Sequence, residues 1–382
     1  MLIAAALLAA GLLAFAALVA FERHRAPALA PAETESNGGP PLVTVLLPVR
    51  DEEADVVACV ETLLGQTARP RVRVIDDSSS DRTVERVEGL IASLPAAGRR
   101  LEVVSAGDLP EGWRGKVHAL DRGLDGVDSP WILTTDADTR HASTVLARAL
   151  ATAQRDGLDL LSLAGHQKVA GLGEALLTPP VFALLDRTLG DWRPQARGTA
   201  ASPLANGQFL LMRREALGAA GGFAAIRQAA LDDVALARAF QSAGRRTGFV
   251  RALDLLDVRM YRGLVATWRG WRRNLALIFG HRPGRLWAIV LALAAPGTLA
   301  LAALAGGAWR PAAILWAGGV AASAILRATS SHPLRHAWLW PWDSFALALL
   351  LAVARRDVRR GRLASWKGRP IVPDQSGESD AS

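Results

Sequence analysis

The chain has 382 residues, 51% of them hydrophobic, and a formal net charge of +8, a length that suits one sizeable domain or two small ones. Its one cysteine, Cys59, excludes an internal disulfide and a cysteine-based zinc site. Seven basic residues and one acid crowd residues 355–369 beside an apolar stretch, which reads as a membrane-surface contact and not as a nucleic-acid face.

From the N-terminal end, residues 2–21 are apolar without a break, about the ~20 residues that a bilayer span needs. A signal peptide would carry positive charge ahead of that run. Here the charge, "ERHR", follows it. Residues 1–25 therefore read as an anchor whose basic flank keeps the following domain in the cytoplasm. Residues 26–41, rich in Pro, Ala and Gly, form a linker.

Beyond residue 41, strands and helices alternate. "LVTVLLP", "RVRVIDD", "LEVVSA" and "PWILTTD" read as strands. "DEEADVVACVETLLGQ", "DRTVERVEGLIASL", "GKVHALDRGLDG" and "STVLARALATAQRDG" read as helices, with Cys59 a small buried hydrophobe in the first. This rhythm predicts an α/β fold with a mostly parallel central sheet, which binds ligands beyond the strand C-termini. Three strands end there in polar residues: Pro48 to Glu52, Asp76 with Asp77, and Asp136 with Asp138.

A lone Asp-x-Asp also suits a turn, since Asp bonds nearby backbone groups. The alternative is Mg2+ or Mn2+, which takes carboxylates and completes its shell with water and substrate phosphates. "LDDVALARAF" places Asp232 and Asp233 at a helix start, where they could cap it or serve as a base. His166 stands alone and reads as a structural or acceptor-side polar residue.

In this order and spacing the motifs resemble those of the family 2 glycosyltransferases, over residues 42–274. The resemblance implies a GT-A-type α/β domain, here residues 42–262, that binds a nucleotide-sugar donor. Pro48, Arg50 and Glu52, with Asp51 between them, match the family's first motif. Asp76 and Asp77, with Ser79 and Asp81, match the motif that holds uracil and ribose. Asp136 and Asp138 match the metal and diphosphate site, which implies a divalent metal cofactor and, for Asp136, contact with the nucleotide sugar. Asp232 and Asp233 match the catalytic pair, the second being the base. "LPEGWRGKVHAL" (109–120), "LANGQFLLMRREAL" and "VRMYRGLVATWRGWRRN" are similar to membrane-bound transferases acting on carotenoid or hopanoid-type lipids. That likeness implies an inverting transfer of a hexose such as glucose from a UDP-linked donor to a lipid acceptor. Lys116, one of three lysines, reads as a diphosphate or nucleotide contact.

Trp113, Trp268, Trp271 and Arg272 are candidates for the acceptor or diphosphate side. The order "TWRGWRRN" departs from the Q-x-x-R-W of processive synthases, which argues against polymer synthesis, the rival reading. A non-catalytic membrane protein on a transferase scaffold is a third, and the intact acidic set argues against it. Residues 263–285 form a basic, Trp-bearing run that suits a helix in the membrane interface. Within 286–354, residues 286–306, 312–326 and 338–354 are apolar. If all three crossed, the basic tail (355–382) would face outside, against the positive-inside rule. The last, which holds Pro341 and Asp343, is expected not to cross. The chain thus reads as multi-pass in a bacterial inner membrane, with a cytoplasmic catalytic domain and tail.

Overall fold

The structure, a computed structural model, describes residues 1–31, 42–94, 100–188, 203–279 and 283–361. Most of the linker and the tail from residue 362 lie outside the described residues. The chain divides into two compact units. One comprises Met1–Arg25, Gln167–Gly190 and Arg259–Pro373; the other comprises Ala26–His166, Asp191–Val258 and Asp374–Ser382.

The second unit is built on a seven-stranded sheet. In spatial order its strands are Leu101–Ser105, Arg71–Asp76, Val43–Val49, Trp131–Thr134, Leu210–Arg213, Leu160–Ala164 and Thr247–Arg251. The first four run parallel; Leu210–Arg213 runs against both its neighbours. Val43–Val49 and Trp131–Thr134 are rich in Val, Ile and Leu and almost wholly buried, as suits central strands of a parallel sheet. Leu46, Ile75, Ile132, Met212 and Phe240 meet in one fully buried cluster. Strand order reverses at Val43–Val49, so a crevice opens beyond its C-terminal end. The antiparallel strand presents its N-terminal end, next to Gly207 and Gln208, at that same edge.

Two local differences from the sequence reading have clear causes. The helix expected from Asp51 begins only at Val56. The amides of Asp51, Glu52 and Glu53 instead bond Ser79, Thr83 and Asp81 of the next loop. The start of the linker is also pinned down: Arg148 donates to the carbonyls of Leu29 and Ala30, and the Ala30 amide donates to Thr152 Oγ1.

In the first unit, three helices are long and apolar enough to cross a membrane: Leu2–Arg25, Gly284–Ala305 and Trp309–Ala328. Small residues let them approach closely. A Cβ on Gly318 would lie 2.6 Å from that of Ala9, and one on Gly319 would strike the Trp340 ring. Arg23 closes the end of the first helix, pairing with Asp186 at 2.5 Å and bonding Ser330 and Thr329. The remaining apolar stretch ends in Trp342–Arg359, which carries Asp343, Arg355, Arg356, Asp357 and Arg359 and is not among the three.

Candidate active site

The crevice gathers acids from four separate stretches. The first is the end of Val43–Val49. There Asp51 adopts a left-handed φ of 51°, and its carboxylate accepts from the Ser80 amide at 2.7 Å. Arg50 donates to the Asp77 carbonyl at 3.0 Å and lies 3.7 Å from the Asp77 carboxylate. Pro48 closes the strand in register with Ile75. Asp77 is buried, Asp76 half-buried with its carboxylate accepting from the Ser79 amide at 3.1 Å. Asp81 is a loop brace, bonding the amides of Thr83 and Glu53.

Asp136 and Asp138 follow the strand Trp131–Thr134. Burial, then the charges of Asp136 and Glu52, push Asp138 up to about 7. Its Oδ1 is buried and has no hydrogen-bond partner. A buried acceptor facing a second carboxylate calls for a cation. Among the described residues no group of three or more His, Cys, Asp or Glu gathers as a ready-made metal cage. Two carboxylates fit Mg2+ or Mn2+, which leave further positions to water and phosphate.

Asp232 and Asp233 begin the helix Asp232–Ser242, whose N-cap position is Leu231. Neither is the cap. Asp233 accepts from the amides of Gly207 at 2.9 Å and Val234 at 2.8 Å. Burial, and then the charge of Asp232, push its carboxyl up to about 6 despite those bonds and Lys116.

Lys116 ties the two acidic pairs together. Its Nζ lies 2.9 Å from Asp136 Oδ1 and 3.2 Å from Asp232 Oδ2. Burial alone would favour the neutral amine, but Asp136 and Asp232 outweigh it and hold Lys116 above its ordinary range. The loop before Lys116 is laced to the one before Asp232: the Arg114 amide donates to the Arg227 carbonyl and its Nε to that of Gln228, both at 2.9 Å.

The other candidates have partners of their own. Trp113 is half-buried, edge-on to His118 at 5.7 Å and packed on the core cluster. Trp268, Trp271 and Arg272 belong to the helix Gly263–Phe279 of the other unit. Trp271 is buried there, edge-on to Phe182 and Tyr261, while Arg272 pairs with Asp357. Trp271 thus packs in the core of this unit, and Arg272 is an ion-pair partner within it. His166 bonds Asp257 at 3.0 Å.

Gly207 escaped the sequence reading. A Cβ there would lie 3.0 Å from Lys116 Nζ and 3.8 Å from carboxylate oxygens of both Asp136 and Asp233. The "NG" before a strand marked a turn; only the reversed strand brings it to the acids.

The model described as glycosyl transferase family 2 matches residues 44–234, half of the chain. No curated protein matches. Among solved structures the chain is similar to the mannosyltransferase PcManGT from Pyrobaculum calidifontis, determined with GDP-Man and Mn2+, at a TM-score of 0.53 and 19% identity over 94% of this chain and 98% of that one. It is also similar to glucosyl-3-phosphoglycerate synthase from Mycobacterium tuberculosis, determined with Mn2+, UDP and phosphoglyceric acid, at a TM-score of 0.39 and 19% identity over 68% and 80% of the two chains. The fold is of the GT-A α/β type with a mostly parallel central sheet, as the motif order implies. The chain is a glycosyltransferase and belongs to glycosyl transferase family 2.

Proposed function

We propose that this glycosyltransferase moves a hexose, with glucose the first candidate, from a UDP-linked donor to a membrane lipid of carotenoid or hopanoid type, with inversion. The observation that carries the reading is the ammonium of Lys116 set between Asp136 and Asp232, one from each acidic pair. Asp76, Asp77, Arg50, Glu52 and Pro48 line the nucleotide side. Asp136 and Asp138 would hold a divalent metal, which would supply positive charge to the departing diphosphate. The lone buried oxygen of Asp138 supports that role. Lys116 contacts the diphosphate from the other side. Asp233, held by two amides, takes the proton of the acceptor hydroxyl as its oxygen bonds the anomeric carbon and the bond to the diphosphate oxygen breaks. Asp232 raises the basicity of Asp233 and anchors Lys116. A single displacement inverts the anomeric centre.

The membrane reading follows from the three apolar helices and the basic Arg23, His24 and Arg25 that end the first. With three crossings, the transferase domain and the tail both face the cytoplasm of the inner membrane. The division into an anchor (1–25), linker (26–41), transferase domain (42–262), amphipathic segment (263–285), membrane segments (286–354) and tail (355–382) is part of the same proposal. The lipid class rests on the likeness of residues 109–120 and 204–217 to lipid-modifying transferases.

The full chain in lipid nanodiscs, supplied with UDP-glucose or GDP-mannose, Mn2+ and extracts from cells lacking it, tests this. The expected product is a glycosylated lipid made with UDP-glucose and lost in EDTA, in Asp136→Ala and in Asp138→Ala. Transfer that survives EDTA overturns the metal assignment; a polymeric product overturns the lipid acceptor.

A further inference from the structure

Beneath the acids lies a buried polar set to which no role has been assigned. Thr135, Thr139, His141 and Gln208 are all 5% exposed or less. Thr135 Oγ1 donates to the Gln208 carbonyl at 2.6 Å. Thr139 Oγ1 donates to the Asp136 carbonyl at 2.7 Å. Each hydroxyl has one proton, so the 3.1 Å between the two hydroxyls is a packing contact. His141 Nε2, 3.2 Å from Thr135 Oγ1, is then the donor. Burial holds this imidazole neutral, with one ring proton, and its Nδ1 lies 3.4 Å from Thr62 Oγ1.

The set has a direction. Thr135 directly precedes Asp136, and the carbonyl it holds belongs to the residue after Gly207. The Gly207 amide in turn holds Asp233. Main-chain atoms of two strands that run in opposite senses are thus joined by one side chain where the metal-side and base-side acids meet.

We propose that Thr135 is a positioning residue for the transfer: its hydroxyl fixes the Gly207–Gln208 segment against the Asp136–Asp138 turn and so sets the distance between base and donor. The inference rests on the roles given above to Asp136, Asp138 and Asp233. Thr135→Val removes the hydroxyl at nearly constant volume, and Thr135→Ser keeps it. The Thr135 hydroxyl contacts Thr139, His141 and Gln208, and none of Arg50, Asp76 and Asp77 on the nucleotide side. A base displaced from its working position lowers turnover instead.

The test measures kcat and donor KM of the full chain in nanodiscs for Thr135→Val, Thr135→Ser and Thr44→Val. Thr44 makes a buried hydroxyl contact with Ser129 at 2.7 Å on the same sheet, and so controls for the loss of any buried hydroxyl. Thr135→Val is expected to lower kcat about 10- to 100-fold, the scale of a sub-ångström to 1 Å misplacement, with KM within about threefold. Thr135→Ser should recover most of the rate, and Thr44→Val should keep it. Should the valine variant not fold, Thr135→Cys, a weak donor, is expected to turn over more slowly than Thr135→Ser at unchanged KM. A valine variant at the wild-type rate, a serine variant no better than valine or cysteine, or an equal loss in Thr44→Val overturns the inference. Asp233→Asn is run beside them. If it too is fully active, the assignment of the base has failed and not the positioning role alone.

Discussion

The ammonium of Lys116 sits 2.9 Å from Asp136 Oδ1, at the distance of a charge-assisted hydrogen bond. In the absence of donor it neutralises carboxylates that would otherwise repel. Lys116→Ala is expected to raise the donor Kd about 10- to 100-fold, equivalent to one hydrogen bond to a charged group. Isothermal titration with UDP-glucose measures it. Donor affinity unchanged within twofold would mean that Lys116 is only a strut between Asp136 and Asp232.

As the proposed base, Asp233 sets the expected pH dependence. A base works as the carboxylate, and burial with Asp232 pushes its pKa up to about 6. The protonated, inactive form therefore accumulates as pH falls through that value. kcat/KM should be flat above it and fall about tenfold per unit below it, the slope of one titrating base. Asp233→Asn should retain donor binding, lose turnover by about 10²–10⁴ and lose the acid limb. The loss also sorts acceptors. A lipid alcohol needs its proton taken, whereas a lipid carboxylic acid, with a reference pKa near ~4, is already ionised at neutral pH and needs no base. A loss under about tenfold with an alcohol acceptor would remove Asp233 from the role of base.

Gly207 offers a variant that changes the site and spares the fold. An alanine Cβ would press on Lys116 Nζ at 3.0 Å, the mobile end of a long side chain. Gly207→Ala should leave the melting temperature within a few degrees while raising donor KM, because the ammonium is pushed from its place between Asp136 and Asp232. Unchanged kinetics would show that Lys116 has room to spare.

In the other unit Arg327 and Asp343 are both buried, 3.1 Å apart. Arg327 also bonds Ser323 and the Ala175 carbonyl. Removing one partner leaves a buried charge, so Asp343→Leu should destabilise by about 3–5 kcal/mol. The double variant Arg327→Met, Asp343→Leu should recover part of that loss. Thermal unfolding in nanodiscs decides it, and a double variant worse than Asp343→Leu would refute the account.

Much of the candidate site was legible because the strands read as short runs rich in Val, Ile and Leu, and the acids that end them stand out. That is how Asp76, Asp77, Asp136 and Asp138 declared themselves. The Asp232–Asp233 pair could be seen but not distinguished from a cap, since a cap and a base favour the same residues at a helix start. Thr135 and Gly207 were illegible for another reason. Their meaning comes from a strand, Leu210–Arg213, that reverses direction within a parallel sheet, and alternation in sequence does not encode which neighbour a strand finds. The packing of Trp271 and Arg272 was illegible too, because an amphipathic helix shows the same periodicity whether its apolar face meets lipid or other helices.

Cys59 lies fully buried under the Asp136 turn, with its Sγ 3.6 Å from the Asp136 carbonyl and burial pushing its thiol up to about 12. Thiol reagents react with the thiolate, which this side chain does not form at working pH. Maleimides and nitroxide labels will therefore pass it by in the folded protein. The natural chain is already a silent background for single cysteines introduced at its surface, for spin labelling or for mapping which side of the membrane each segment faces. Replacing Cys59 to prepare such a background would disturb the floor of the crevice for no gain.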